Sequence, residues 1–254
     1  MVLLLLACSR PVEAPADLDG LFHWFFTNYE TASDEEMLAA AANIKPFILE
    51  EGEGTVTDLT AAERATSPVE GNLDPSLATG IYLQGPVACP FDKMEQVHYD
   101  LDQNGLYEEA TGDPPYIEYK RTYTSDLGAY EARETPFLSW HTVYTVKPVT
   151  EEYEAEVSGS IRYVPAADGV GPVVVERAVV PTPALFEEGS NDYFNQDYQI
   201  DVMLGDGGGS VHGYAVWRDL SSLGLTDEDP AVQSLILNGL TDFDRDTEEV
   251  CKTY

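Results

Sequence analysis

The sequence predicts an α+β fold: an antiparallel sheet of six to seven strands covered by one long C-terminal helix, with a small helical segment ahead of it. Three observations lead there. Residues 152–163 alternate without a fault, placing Tyr153, Ala155, Val157, Gly159, Ile161 and Tyr163 on one side and Glu152, Glu154, Glu156, Ser158, Ser160 and Arg162 on the other, as in a strand with one buried and one wet face. Strand-length runs follow one another closely between Gly80 and Arg218, separated by turn clusters such as Ala166-Ala167-Asp168-Gly169 and the Gly-rich 205–209, and such turns favour antiparallel neighbours. Finally, Val232, Leu235, Ile236, Gly239, Leu240, Phe243 and Val250 form one stripe of a helix opening at Asp229-Pro230, and that stripe needs an apolar surface to cover.

Taken in order, residues 1–7 are a short apolar run, 8–17 a Pro-containing tether, 18–79 a helical segment with an acidic loop, and 80–254 the main α+β domain. Leu21, Phe22, Trp24, Phe25 and Phe26 mark a first helix over 18–29, an aromatic face suited to docking on its own domain. Ser33 with Glu36 is a capping box opening a second, Ala-rich helix. Gly- and acid-rich 50–54 and 67–74 read as loop. Strands are expected over 81–87, 116–124, 137–147, 152–163, 172–180, 196–204 and 210–218, with a helix over 90–107 interrupted near Asn104-Gly105.

The chain has 254 residues and 43% hydrophobic content, enough for a sizeable core. Its charge is extreme: 13 Lys and Arg against 46 Asp and Glu leave −33, a field that excludes nucleic acid as a partner and repels anionic membrane surfaces. The bland meaning of such acidity is a well-solvated surface.

Leu5-Leu6-Ala7-Cys8 resembles the lipobox of bacterial lipoprotein signal peptides. The resemblance implies cleavage before Cys8, acylation of Cys8, and a protein held at the cell-envelope membrane. Ser9 after the cysteine points by the same resemblance to the outer membrane. It covers only these few residues, lacks a preceding Lys or Arg, and has a short apolar run. Of the three cysteines this leaves Cys89 and Cys251, which suit one disulfide in an oxidising compartment, two buried free thiols being the alternative.

Few constellations carry chemistry. Asp100, Asp102 and Asn104 with Gly105 match the first half of a calcium loop, but Thr111 stands where the bidentate acid belongs, so an ordinary turn is the better reading and no metal site is expected. His23, His98, His141 and His212 show no metal spacing. Ser210 lacks the following Gly of a nucleophile elbow, and Gly207–Gly209 lack the Lys of a phosphate loop. Arg121 alternates onto the face of Tyr119 and Tyr123, where its charge needs a partner, either an internal carboxylate or a ligand headgroup. Together with Trp140, Tyr144 and Trp217 these residues are the candidate ligand contacts, within an aromatic-rich sheet that either fills a core or lines a pocket.

A strand, a broken helix, a run of antiparallel strands ending in Trp217-Arg218-Asp219, and a long terminal helix together resemble the helix-grip layout of START-like lipid-transfer and polyketide-cyclase-like proteins over 80–252. That resemblance implies a cavity between sheet and terminal helix that accepts a lipid or other hydrophobic ligand, with no cofactor. A β-sandwich or lipocalin-like barrel is the alternative fold. Two function classes remain, a hydrophobic-ligand carrier and an interaction module with a solid core, and a non-catalytic role is preferred over an enzyme.

Overall fold

The structure, a computed structural model, describes residues 13–69, 73–147, 151–167 and 170–254. The apolar N-terminal run and Cys8 lie outside the described residues. In chain order the elements are α1 (Leu18–Asn28), α2 (Asp34–Ile48), β1 (Gly52–Val56), α3 (Ala61–Arg64), a 3-10 turn (Pro75–Leu77), β2 (Thr79–Val87), α4 (Phe91–Tyr99), α5 (Gln103–Thr111) and β3 (Glu118–Tyr123). There follow α6 (Leu127–Glu131), β4 (Phe137–Val146), β5 (Tyr153–Val164), β6 (Val173–Val179), β7 (Leu185–Phe186), β8 (Tyr193–Asp206), β9 (Gly209–Ser222), β10 (Leu225–Thr226) and α7 (Pro230–Thr253).

The fold class is the one the sequence predicts. Every strand pairing is antiparallel, in the order β1-β2-β9-β8-β6-β5-β4-β3, with β10 on β9 and β7 on β5. Among the described residues the sheet has ten strands rather than six or seven. The excess is β1, β7 and β10, which are short edge pieces held by main-chain bonds, and such pairing leaves little trace in a side-chain pattern. Gly52–Val56, read as loop from its glycines and acids, is one of them.

Helices cover both faces. On the outer face α1 and α2 bury Phe22, Phe25, Phe26, Met37 and Ile44 against Val175, Tyr198, Ile200, Val202, Ala215 and Trp217. On the inner face α4, α5 and α7 enclose Met94, Val97, Tyr107, Val250 and Cys251 with Leu138, Trp140, Ile161, Val174 and Met203. A smaller cluster of Ala155, Val180 and Phe194 closes the far end.

This changes the picture of β5. Glu154 and Glu156 stand in water as expected, but Arg162 on the same side is 4% exposed and donates to Tyr29 O, Ala32 O and Asp34 Oδ1 at 2.8 Å. The turn between α1 and α2 sits on that end of the strand and caps the guanidinium with its carbonyls. Trp217 is a second correction. Its neighbour Arg218 faces inward, so Trp217 faces outward, where it packs on Phe26 and donates to Thr57 O at 2.7 Å. It belongs to the core under α1 and cannot touch anything held beneath α7.

The helix after β2 breaks earlier than Asn104-Gly105. Asp102 accepts from Gly105 N and Asp100 from Asp102 N, so these two aspartates end α4 and cap α5. Asn104 bonds both ways with the Tyr116 backbone. The three calcium-loop candidates therefore act as turn and cap residues. Cys89 and Cys251 form a disulfide with α carbons 5.5 Å apart, fastening the last turn of α7 beside the start of α4.

Candidate functional site

The sheet register assembles a polar cluster on the inner face. Glu176, Asp201 and Tyr214 lie side by side across β6, β8 and β9, with His212 one inward position along β9. Further along the same faces, Asp197 pairs with Arg218. From above, α4 lowers His98 and α7 lowers Phe243 and Asp244 onto the same patch.

His98 Nδ1 meets Glu176 Oε2 at 2.8 Å, while His212 bridges Asp201 Oδ1 through Nε2 at 2.8 Å and Asp244 Oδ1 through Nδ1 at 2.9 Å. The two imidazoles stand edge to face, 5.7 Å apart, and the Phe243 ring lies 5.8 Å from His98. Burial on its own would lower the pKa of His212, but the carboxylates of Asp244 and Asp201 outweigh it and hold the value at about 10. His212 is thus an imidazolium that ties sheet to helix. Burial raises Asp201 to about 6 against the opposing pull of His212. Arg218 grips Asp197 through Nε at 3.1 Å and NH2 at 2.9 Å, so burial, which would lower its pKa, is overcome by Asp197.

Arg121 has a partner that the sequence did not suggest. Its guanidinium donates to His98 O at 2.6 Å and Asp100 O at 3.2 Å, and Nε to Thr142 Oγ1, while its plane lies 4.6 Å from the Trp140 ring. The cation therefore satisfies carbonyls at the C-terminal end of α4, where the helix dipole is negative, in place of a carboxylate or a ligand headgroup. Trp140 is core, 2% exposed, its indole lying over Gly159. Tyr123 donates to Tyr99 O at 2.7 Å. Of the six candidate contacts, Tyr119 and Tyr144 take part in an open aromatic wall, Arg121, Tyr123 and Trp140 back it, and Trp217 is on the other face.

That wall runs along β3, β4 and β5. Tyr116 stacks on Tyr119 at 4.9 Å and leans on Tyr144 at 5.0 Å; Tyr144 meets Tyr153 at 6.4 Å, and Tyr153 meets Phe194 at 5.6 Å. Burial raises the pKa of Tyr144 and Tyr214 well above 10 and that of Tyr116 and Tyr153 in the same direction, yet all four side chains remain only half-buried. Tyr144 and Tyr153 pack against the Ala155, Val180 and Phe194 cluster while keeping part of their surface accessible. On α7, Ile236, Leu237 and Leu240 are half-buried too, whereas Val232 near its start and Val250 and Cys251 near its end are packed. The C-terminal half of α7 is fastened to α4 and α5 by the Cys89–Cys251 disulfide and the Tyr107–Thr247 hydrogen bond.

Two clefts lie elsewhere. One of about 410 Å³ is on the outer face, lined by Ser139, His141, Ser158, Ser160 and Arg177 beside Glu30; another of about 270 Å³ lies among Lys147, Glu152, Glu187 and Ser190. Among the described residues no group of three or more His, Cys, Asp or Glu is placed to hold a metal ion.

Sequence reasoning missed His98, Glu176, Asp197, Asp201, His212 and Arg218 as a group. The signal was Glu176 inside Val173–Val180 and Asp201 inside 198–204: an isolated acid in an apolar run buried on both faces needs a buried partner. The partners come from elements up to 78 residues away, which spacing cannot show.

No family model matches the sequence, and no curated protein matches it. Solved structures similar to it include a START superfamily protein from Mycobacterium smegmatis, at 12% identity and a TM-score of 0.41, covering 66% of this chain and 93% of that one. Another is the STAR-related lipid transfer protein from Xanthomonas axonopodis, at 11% identity and a TM-score of 0.42, covering 71% and 90%. A third is the lipid transfer and protein localization domain of human StarD13, at 10% identity and a TM-score of 0.40, covering 85% and 96%. At likenesses this distant, the chain's own side chains have to carry any functional conclusion.

Proposed function

We propose that this protein is a non-catalytic carrier that holds an amphipathic small molecule or lipid between the inner face of its sheet and α7. The observation that carries the reading is that two apolar surfaces are incompletely buried, Tyr116, Tyr144, Tyr153 and Tyr214 on the inner face of the sheet and Ile236, Leu237 and Leu240 on the helix. Aromatic and aliphatic walls with a few fixed polar groups are the usual makeup of a small-molecule site. A carrier role fits the histidines better than a catalytic one, because His212 has both ring nitrogens committed to carboxylates and is held protonated far above neutrality. Native mass spectrometry of protein extracted gently from its host, together with titration by the neutral fluorophore N-phenyl-1-naphthylamine, tests this. A co-purifying lipid or saturable uptake of the fluorophore is expected; absence of both leaves a solid-cored interaction module as the better description.

The same proposal includes attachment. Leu5-Leu6-Ala7-Cys8 supports acylation of Cys8 and a place at the bacterial envelope, in the outer membrane by the rule that Ser9 suggests. Partition of the host-expressed protein into detergent, lost in Cys8→Ala, is the expected result; an unchanged aqueous protein overturns it.

A further inference from the structure

The polar groups beneath α7 also select what can sit there. Carboxylates outnumber cations in the patch: Glu176, Asp197, Asp201 and Asp244 stand against Arg121, Arg218 and the His212 imidazolium. Each cation already donates to the protein, Arg121 to the end of α4, Arg218 to Asp197, and His212 to Asp201 and Asp244. A ligand carboxylate entering this space would meet an excess of like charge and no cation free to receive it.

Among the described residues of the inner face, two buried side-chain atoms have no hydrogen-bond partner, Tyr119 Oη on the aromatic wall and His98 Nε2 beneath α7. His98 is 6% exposed, its Nδ1 is taken by Glu176, and its Nε2 is buried without a hydrogen-bond partner. Nδ1 must carry hydrogen to donate to the Glu176 carboxylate, so Nε2, on the far side of the ring from it, is an acceptor in the neutral imidazole and a donor in the charged one. A hydroxyl can both give and take a hydrogen bond and satisfies Nε2 in either state; a carboxylate satisfies it in only one. A buried polar atom left unmatched is unfavourable, and a ligand that supplies the match gains that difference on binding.

Resting on the carrier reading above, we infer that the site takes neutral, hydroxyl-bearing amphiphiles and rejects fatty acids, with His98 Nε2 as the specificity-determining contact for the ligand hydroxyl and Phe243 as the ring beside which it enters. The matched probes are 1-decanol and decanoate, each used at pH 7.5 to displace N-phenyl-1-naphthylamine from the full chain. Decanol is expected to displace it at least tenfold more strongly than decanoate. In His98→Phe that advantage, taken as the ratio of the two displacement constants measured in the same variant, should fall to threefold or less. Should His98→Phe fail to fold, nitrogen-detected imidazole spectra of the unaltered protein replace it: decanol should shift the His98 Nε2 resonance and decanoate should leave it in place. If the fluorophore binds but decanoate competes as well as decanol, or the His98 signal ignores decanol, the inference is overturned while the carrier reading survives. No saturable binding of the fluorophore overturns both.

Discussion

Glu176 and Asp201 are direct cross-strand neighbours on the inner face of the sheet, two carboxylates in the arrangement that a sheet tolerates least. They coexist because each has its own imidazole, His98 from α4 and His212 from β9. Replacing His212 by Gln would leave Asp201 and Asp244 without their shared cation. An isolated buried charge of this kind costs about 3–5 kcal/mol, so the urea midpoint of His212→Gln should fall sharply, and a change within error would mean that the bridge is not formed.

The same bridge sets a pH dependence. Both pKa values are raised in the folded state, His212 from 6.5 to about 10 and Asp201 from 3.8 to about 6, so both groups favour folding in their protonated forms. The contribution of Asp201 is complete below pH 3.8 and lost as pH rises through 6. That of His212 is complete below 6.5 and drains away up to pH 10. Stability should therefore decline steadily between pH 7 and pH 10, and this alkaline slope should flatten in His212→Gln. Urea midpoints at pH 7, 8.5 and 10 for both proteins provide the check; equal slopes would contradict it.

Gly159 faces Trp140 across β4 and β5, and a β carbon there would come within 2.4 Å of the indole Nε1. The indole lies flat on the backbone that the glycine leaves bare. Gly159→Ala should displace Trp140, loosen Arg121 above it, and cost about 1–3 kcal/mol, with a change in tryptophan emission as the local signature.

The Cys89–Cys251 bridge joins residues 162 apart in sequence. By chain entropy its loss should be worth roughly 4 to 5 kcal/mol, seen as a lower thermal midpoint in Cys89→Ser/Cys251→Ser. A non-reduced digest should yield both cysteines in one linked peptide pair.

Arg121→Met keeps the long apolar stem over Trp140 and removes the donors that satisfy His98 O and Asp100 O. A charged hydrogen bond of this type is worth about 1.5–3 kcal/mol, and amide exchange should accelerate in the last turn of α4 more than in α2. Equal exchange in both helices would mean that the guanidinium does not hold α4.

The layout was legible because long strands and an amphipathic helix leave periodic marks. The alternation at 152–163 is a strand, and the stripe from Val232 to Val250 is one helix. What could not be read is what covers what. Nothing local to Arg162 announces that carbonyls of Tyr29 and Ala32 will enclose it, and nothing near Trp217 tells which of two helix layers it meets, since both faces of β9 are buried. The same holds for His212, whose two carboxylates come from a neighbouring strand and from a helix 32 residues further on. Alternation assigns a side chain to a face, and only the fold assigns that face a lid.

α7 is built as a lever with one fixed end. Cys251 anchors it covalently, and Lys93 locks the terminus through Cys251 O and Tyr254 O, whereas in the opposite half only Val232 is packed and Ile236, Leu237 and Leu240 are half-buried. Between the two halves the His212–Asp244 ion pair acts as the latch. On the carrier reading, an opening would swing from the Pro230 end, parting the Asp244–His212 ion pair before it reached the Tyr107–Thr247 and Ala88–Glu248 hydrogen bonds that hold the rest of the helix.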